Sequence, residues 1–320
     1  MNSQNPSQEH LQFIINLFTQ GQLHQALSEA TQMLERFPNS VILYNIAGAC
    51  NAGLMEFNAA ISSYKKAIKI KPDYAEAYYN MSVVLNDKGD LEAAIENYKQ
   101  ALKIKPDYAQ AYNNMGNALK EIGDLDAAIS SYKQAIKIKP DYADAHNNMG
   151  IALNHKGYLE AAIESYKQAL KLKPDYAQAY NNMGNALKEI GDLDAAISNY
   201  KKAFKIKPDY SQPYYNMGNI LKEKGDLEAA ISSYKQAIKI KPDYAESHCD
   251  LGNALLLLNQ SEQALVSYEK AISLKKDLNP AISGLGNLLL KKGEHSKGLD
   301  KLRQAEGSIL FNIKSGLSIK

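Results

Sequence analysis

Apolar and polar residues alternate along this chain with the period of a helix. In residues 109–142, Tyr112, Met115 and Leu119 fall at positions i, i+3 and i+7, which places them on one face of a helix. After a short polar break, a second apolar stripe runs from Leu125 to Ile136 with the same spacing. The segment therefore predicts two amphipathic helices in succession.

Glycine, aspartate and proline mark the ends of these two helices. Gly123 is suited to the left-handed residue that ends the first helix, and Asp124 is suited to cap the second. Pro140 stops the second helix, because proline lacks an N–H and disfavours helix in the residue before it. The predicted unit is a helix, a tight turn, a second helix and a proline.

This unit returns every 34 residues. Nine repeats fit end to end over residues 7–312, and a fixed period of this length predicts a stacked-repeat solenoid. We expect residues 1–6 to be disordered and residues 308–320 to form a frayed cap or a small hairpin. The repeats begin at residues 7, 41, 75, 109, 143, 177, 211, 245 and 279.

The repeat resembles the tetratricopeptide family. In repeat 109–142 the family's two aromatics are Tyr112 and Tyr132, its tight-packing glycine is Gly116, and its small residue is Ala128. The resemblance covers about residues 7–312. It implies an all-α, right-handed superhelix of about nine helix pairs, and a non-catalytic scaffold that holds a partner protein in a concave groove.

Composition and charge narrow the classes of function. The formal net charge is only +2, which argues against a nucleic-acid tract or a polybasic membrane anchor. The longest apolar run, residues 254–258, is far too short for membrane insertion. The two cysteines lack C-x-x-C spacing and no catalytic motif is present, so we expect no metal, no cofactor and no enzyme activity. This low-cysteine composition suits a cytoplasmic location.

Asparagine forms three rows along the predicted first helices. It is a poor residue for a helix interior because its side chain competes with the backbone, so the rows need a cause. An amide offers both donors and an acceptor, and can pair with the N–H and C=O of an extended peptide. Row one is Asn80, Asn114, Asn148, Asn182 and Asn216, continued by Asp250; row two is Asn117, Asn185, Asn219 and Asn253, with Asn287 after it; row three is Asn45, Asn113, Asn147 and Asn181.

The rows resemble the asparagine ladder in the tetratricopeptide region of protein O-GlcNAc transferases, where amides on the concave face grip the peptide backbone. That resemblance implies that these residues bind an extended peptide segment of a partner protein. Two other interpretations compete with it. The amides of adjacent repeats bond to one another, or the rows were inherited from duplicated repeats without a selected use.

Two tyrosines on the first helices stand outside the repeat pattern. Tyr79 and Tyr215 each follow a core tyrosine by one residue, so we expect them to point off the packing face. They are candidate anchors for a bound peptide, with scattered surface aromatics as the alternative.

Other functions and contacts stay open at this point. The chain would also suit the substrate-recruiting arm of a glycosyltransferase or another modifying enzyme, or an assembly factor for a membrane protein complex. Leucine-rich stretches at residues 255–258 and 288–290 predict weak self-association through the terminal repeats.

Overall fold

A computed structural model describes residues 6–306, 309–312 and 316–319, which form helices in series followed by two short strands. Except for Pro6, the expected disorder of residues 1–6 concerns residues outside this description. The helices of the first four and a half repeats are α1 (Gln8–Thr19), α2 (Leu23–Arg36), α3 (Val41–Gly53), α4 (Phe57–Ile70), α5 (Ala75–Asp87), α6 (Leu91–Ile104), α7 (Ala109–Glu121), α8 (Leu125–Ile138) and α9 (Ala143–His155).

The remaining helices continue the same alternation. They are α10 (Leu159–Leu172), α11 (Ala177–Glu189), α12 (Leu193–Ile206), α13 (Ser211–Glu223), α14 (Leu227–Ile240), α15 (Ala245–Leu257), α16 (Ser261–Leu274), α17 (Asn279–Lys291) and α18 (His295–Glu306). Strands β1 (Ile309–Asn312) and β2 (Gly316–Ile319) pair antiparallel, with Ile309 opposite Ile319. Residues 307, 308, 313–315 and 320 of the tail lie outside the described part of the chain.

The local signals read from the sequence act as expected. Gly123 takes a left-handed backbone conformation with φ of 88° between α7 and α8. The Asp124 side chain then caps α8, accepting a hydrogen bond from the Ala127 N–H at 3.1 Å. Helix α8 ends at Ile138, two residues before Pro140. The prediction of an all-α fold built from helix–turn–helix repeats is confirmed.

Seven of the described helix pairs, from α3–α4 to α15–α16, each bury a tyrosine of their second helix. The Tyr132 side chain is 0% exposed, and its ring lies against Gly116 of α7. A Cβ atom at Gly116 would lie 2.6 Å from Tyr132 Cε1, so any side chain there requires the ring to move. The same contact joins Gly48 to Tyr64, Gly150 to Tyr166, Gly184 to Tyr200, Gly218 to Tyr234 and Gly252 to Tyr268.

The chain forms two compact parts, an N-terminal half (Met1–Leu172) and a C-terminal half (Lys173–Lys320). Within each half the first helices of neighbouring pairs contact one another, as α5 contacts α7 and α13 contacts α15. Among the described residues, no two second helices make a comparable contact. The first helices therefore lie closer together, on the inner side of each half's curve. We call the face formed by the first helices of each half its inner surface.

Candidate functional site

The asparagines of the inner surfaces lie at two depths. Row-one side chains are partly exposed in both halves. The row-three residues Asn113, Asn147 and Asn181 are buried, at 4, 4 and 3% exposure. A bound peptide would therefore reach the row-one amides first, and peptide contact by these three buried residues stays a prediction.

Rows one and three form a hydrogen-bonded chain in the N-terminal half. Asn148 Nδ2 donates to Asn113 Oδ1 of the preceding repeat at 3.1 Å. Asn113 Nδ2 donates to Asn114 Oδ1 at 3.1 Å, and Asn114 Nδ2 donates to the Tyr79 hydroxyl at 3.1 Å. The buried amide of Asn113 thus fixes the orientation of the two row-one amides beside it.

The same bonding recurs elsewhere on the two inner surfaces. In the N-terminal half, Asn80 Nδ2 donates to Asn45 Oδ1 at 3.0 Å. In the C-terminal half, Asn216 Nδ2 donates to Asn181 Oδ1 at 3.1 Å and to Asn185 Oδ1 at 2.9 Å. Bonding between the asparagines of adjacent repeats, one of the competing interpretations, is therefore present in the structure.

The row-two asparagines accept hydrogen bonds from the hydroxyls of core tyrosines. The Tyr132 hydroxyl donates to Asn117 Oδ1 at 2.8 Å, across the helix pair. Because a buried hydroxyl without a partner costs free energy, row two has a structural role that the sequence reasoning missed. A signal was present, since the four asparagines of row two each precede a core tyrosine by 15 residues. The other pairs are Tyr200 with Asn185 at 2.8 Å, Tyr234 with Asn219 at 2.8 Å and Tyr268 with Asn253 at 2.7 Å.

Tyr79 and Tyr215 pack against other tyrosines of their own repeats. The centre of the Tyr79 ring lies 4.7 Å from that of Tyr108, and the Tyr215 ring lies 5.0 Å from Tyr244. The expectation that these rings point away from the packing face is wrong, because aromatic contacts with tyrosines of their own repeats hold them in place. Burial raises the pKa of the Tyr79 hydroxyl, which therefore stays protonated at neutral pH.

Asp250 takes the row-one position in the C-terminal half and replaces the amide of that row with a carboxylate. Its Oδ2 accepts from the Tyr215 hydroxyl at 2.9 Å, and its Oδ1 accepts from Lys222 Nζ at 2.6 Å. Tyr79 and Tyr215 hold equivalent repeat positions, yet the Tyr79 hydroxyl accepts from Asn114 while the Tyr215 hydroxyl donates to Asp250. The two halves therefore differ in the row-one side chain beside this hydroxyl and in the role of the hydroxyl.

Among residues 6–306, no three His, Cys, Asp or Glu side chains come together in a group that could hold a metal ion. Cys50 and Cys249 are free and buried, and burial raises their thiol pKa to about 11 and about 12. Such thiols stay uncharged at neutral pH and are weak nucleophiles. His146 and His248 each bond through Nε2 to the proline carbonyl of the preceding repeat, at 3.1 and 3.0 Å. In the described chain, no helix combines the length and apolar character needed to cross a bilayer.

Family models identify the repeat. The TPR repeat model matches residues 56–86, 83–123, 116–157, 152–191, 184–225 and 218–259, and the Tetratricopeptide repeat model matches residues 245–278. These matches cover more than half of the chain, which therefore belongs to the tetratricopeptide repeat family. The predicted resemblance is confirmed. Members of this class are protein-interaction scaffolds that bind protein or peptide partners, and the matching models indicate no catalytic family.

Solved structures of other proteins are similar to this chain. The APC/C hetero-tetramer Cut9–Hcn1 has a TM-score of 0.61 at 16% identity, over 83% of this chain and 52% of that chain. YrrB, described as a TPR protein with an unusual peptide-binding site, has a TM-score of 0.50 at 21% identity, over 57% and 95%. MamA is 30% identical over 50% of this chain and 94% of its own, with a TM-score of 0.48. Among curated proteins, no significant match is found.

Proposed function

We propose that this protein is a non-catalytic scaffold that holds an extended segment of a partner protein on its inner surface through an asparagine ladder. One observation carries the proposal: the row-one amides of the N-terminal half reach the surface, and row-three amides, of which Asn113 is buried, orient them. Preoriented amides favour binding because less freedom is lost when the ligand arrives. The described peptide-binding site of YrrB is a precedent for peptide recognition on this fold.

Asn80 and Asn148 are the strongest candidates for contact with a peptide backbone. Each donates one N–H to a row-three asparagine, and an amide carries two N–H groups and two lone pairs. A peptide carbonyl can therefore accept the second N–H, and a peptide N–H can donate to the amide oxygen. The Tyr79 hydroxyl, which accepts from Asn114, supplies a further donor at the end of this chain of bonds.

The C-terminal half contributes less to the proposed ladder. Asn216 gives its N–H groups to two asparagines of the protein, and its Oδ1 accepts from Gln212 at 3.0 Å. Asn182 continues row one there, while Asp250 replaces the amide with a charge. We therefore assign the principal contacts to the N-terminal half.

Backbone recognition is tested with peptides selected against the full chain from a random library. N-methylation at one peptide bond at a time removes a single N–H and leaves every side chain in place. We expect an N-methyl group at a contacted position to weaken binding about tenfold, the loss of one good hydrogen bond. Alanine substitutions along the same peptide should mostly change the affinity less than about threefold, as titration calorimetry would show.

Two variants of the protein separate binding from folding. Asn148→Ala should weaken binding about as much as one N-methyl group does. Asn219→Ala removes the amide that fastens Tyr234 and should lower stability with the affinity unchanged. Circular dichroism checks that each variant folds. Peptide affinity that follows side chains alone, or that is unchanged in Asn148→Ala, contradicts the proposal.

A cytoplasmic location belongs to the same proposal. Both cysteines carry free thiols, and the chain's composition suits a reducing compartment. Fractionation of the native cells tests this placement, and recovery of the protein from a secreted fraction contradicts it.

A further inference from the structure

A basic cleft lies in the N-terminal half, away from the asparagine rows. It has a volume of about 550 Å³ and lies between α4 and the turn that joins α5 to α6. Lys65, Lys66 and Lys69 of α4 line it together with Lys88 and Asp90 of the turn, and all five side chains are exposed. Four ammonium groups face a single carboxylate among these residues. Within the described chain, none of the four lysines forms an ion pair.

The excess positive charge arises from one substitution within the repeat pattern. Lys88 donates from Nζ to Asn58 Oδ1 at 3.2 Å. Three other repeats have lysine at the position of Lys88, and in each of them the partner is a carboxylate. The pairs are Lys156 with Asp126, Lys224 with Asp194 at 2.5 Å and Lys292 with Glu262 at 2.8 Å. Asn58 is neutral. Among the four lysines at this repeat position, Lys88 is therefore the one whose partner carries no opposite charge.

The C-terminal half contains a matched counterpart of the basic cleft. Around α12 and the turn after α13, the residues at the lining positions are the same as in the cleft except that Asp194 stands where Asn58 does. The corresponding charged residues are Lys201, Lys202, Lys205, Lys224 and Asp226. Lysines on a helix are usually a solvated face, so the lysines alone do not distinguish the cleft. The feature that distinguishes the cleft is the absence of a carboxylate at position 58.

We propose that the basic cleft binds an acidic segment of a partner protein, whose carboxylate takes the place beside Lys88 that Asp194 holds beside Lys224. Charge complementarity supports this assignment, since a cleft lined with one sign of charge concentrates ligands of the opposite sign. Opposite charges across an interface raise the association rate and select the partner. This surface uses the second helix of a pair, so it is independent of the proposed peptide contacts on the first helices.

A fluorescein-labelled hexaglutamate peptide is the probe, with fluorescence anisotropy on the full chain at low ionic strength. We expect one site per chain, an affinity that falls as salt is added, and no binding of the matching hexaglutamine peptide. Asn58→Asp should weaken binding about fivefold, because the new carboxylate pairs with Lys88 and repels the peptide. Asp194→Asn should create the same arrangement in the C-terminal half and raise the number of sites from one to two.

Unchanged affinity in Asn58→Asp, or a single site in Asp194→Asn, overturns the proposal. Lys133→Gln removes an exposed lysine from a different repeat, and should leave binding as it is. If that variant weakens binding as much as Lys88→Gln does, the peptide follows overall charge and the cleft is not its site. Displacement by inorganic phosphate, beyond what chloride at equal ionic strength achieves, overturns the choice of carboxylate. Tighter binding of a single-stranded oligonucleotide overturns the assignment to a protein segment.

Discussion

Asparagine has three different roles at three nearby positions of the repeat. Asn113 is buried and links two neighbours, Asn117 accepts from a core hydroxyl, and Asn148 reaches the surface. One side chain type can do all three because an amide both donates and accepts, so it can end a hydrogen-bonded chain or continue it. Asparagines of the first helices therefore contribute both to stability and to the proposed recognition of a peptide.

The row-two bond leads to a prediction about single residues. Asn117→Ala leaves the buried Tyr132 hydroxyl without its acceptor, and should lower the free energy of unfolding by about 2 kcal/mol. Tyr132→Phe removes the hydroxyl itself and should cost only about 1 kcal/mol. Urea denaturation followed by circular dichroism measures both. Tyr64→Phe is the control, because Ala49 replaces the row-two asparagine there, and should be nearly neutral. A loss at Tyr64 equal to that of Asn117→Ala would refute the argument.

The sequence indicated the asparagine rows but not the partners of each side chain. A period of 34 residues places Asn114 and Asn148 at the same point of adjacent repeats. The observed bond runs from Asn148 to Asn113, one repeat plus one residue away. Which of the two asparagines lies within reach depends on how one first helix leans on the next, and the period of the sequence does not contain that angle.

At the scale of the helix pair, the turn is where sequence and structure agree most closely. Glycine supplies the left-handed residue in most repeats, as Gly123 does. Met55 and Asn259 occupy the same position in two others, with φ of 64° and 58°. A residue with a Cβ atom is strained there by about 1–2 kcal/mol, and asparagine tolerates the conformation better than methionine.

Met55→Gly should therefore raise the free energy of unfolding by about 1 kcal/mol. The Met55 side chain is 71% exposed, so its removal sacrifices little burial. Asn259→Gly relieves less strain and should raise stability by less than about 0.5 kcal/mol. Thermal unfolding followed by circular dichroism compares the two variants. A lower melting temperature for Met55→Gly would show that this methionine makes contacts worth more than the strain.

At the scale of the whole molecule, the fold and its family were predictable and the surfaces only partly so. Short-range signals fix the helices, because caps and turns act within a few residues, as Gly123 and Asp124 do. The basic cleft joins residues such as Asn58 and Lys88, which are 30 residues apart. The unpaired charge of the cleft is recognised only in the folded repeats, when each lysine is compared with its partner in the preceding repeat.

Buried tyrosines and cysteines link the stability of the whole chain to pH. Burial raises the pKa of Tyr244 from 10.0 to about 12, and raises the thiol pKa of Cys50 from 9.0 to about 11. The pKa of the fully buried Tyr132 is also raised by burial. Between the unfolded and the folded pKa values, these groups are therefore still protonated in the folded protein and already ionised in the unfolded chain. This stabilisation is complete below about pH 9 and is lost as the pH rises through the folded pKa values.

We expect the urea midpoint of unfolding to stay nearly constant up to about pH 9 and to fall steeply above about pH 10. Each buried group lowers the free energy of unfolding by about 1.4 kcal/mol per pH unit above its unfolded pKa, and the core tyrosines act together. Tyr132→Phe removes one such group, so its midpoint should fall less steeply than that of the unaltered chain. Circular dichroism in urea at a series of pH values measures both slopes. A midpoint that does not change up to about pH 11 would mean that the core tyrosines ionise as readily in the folded protein as in the unfolded chain.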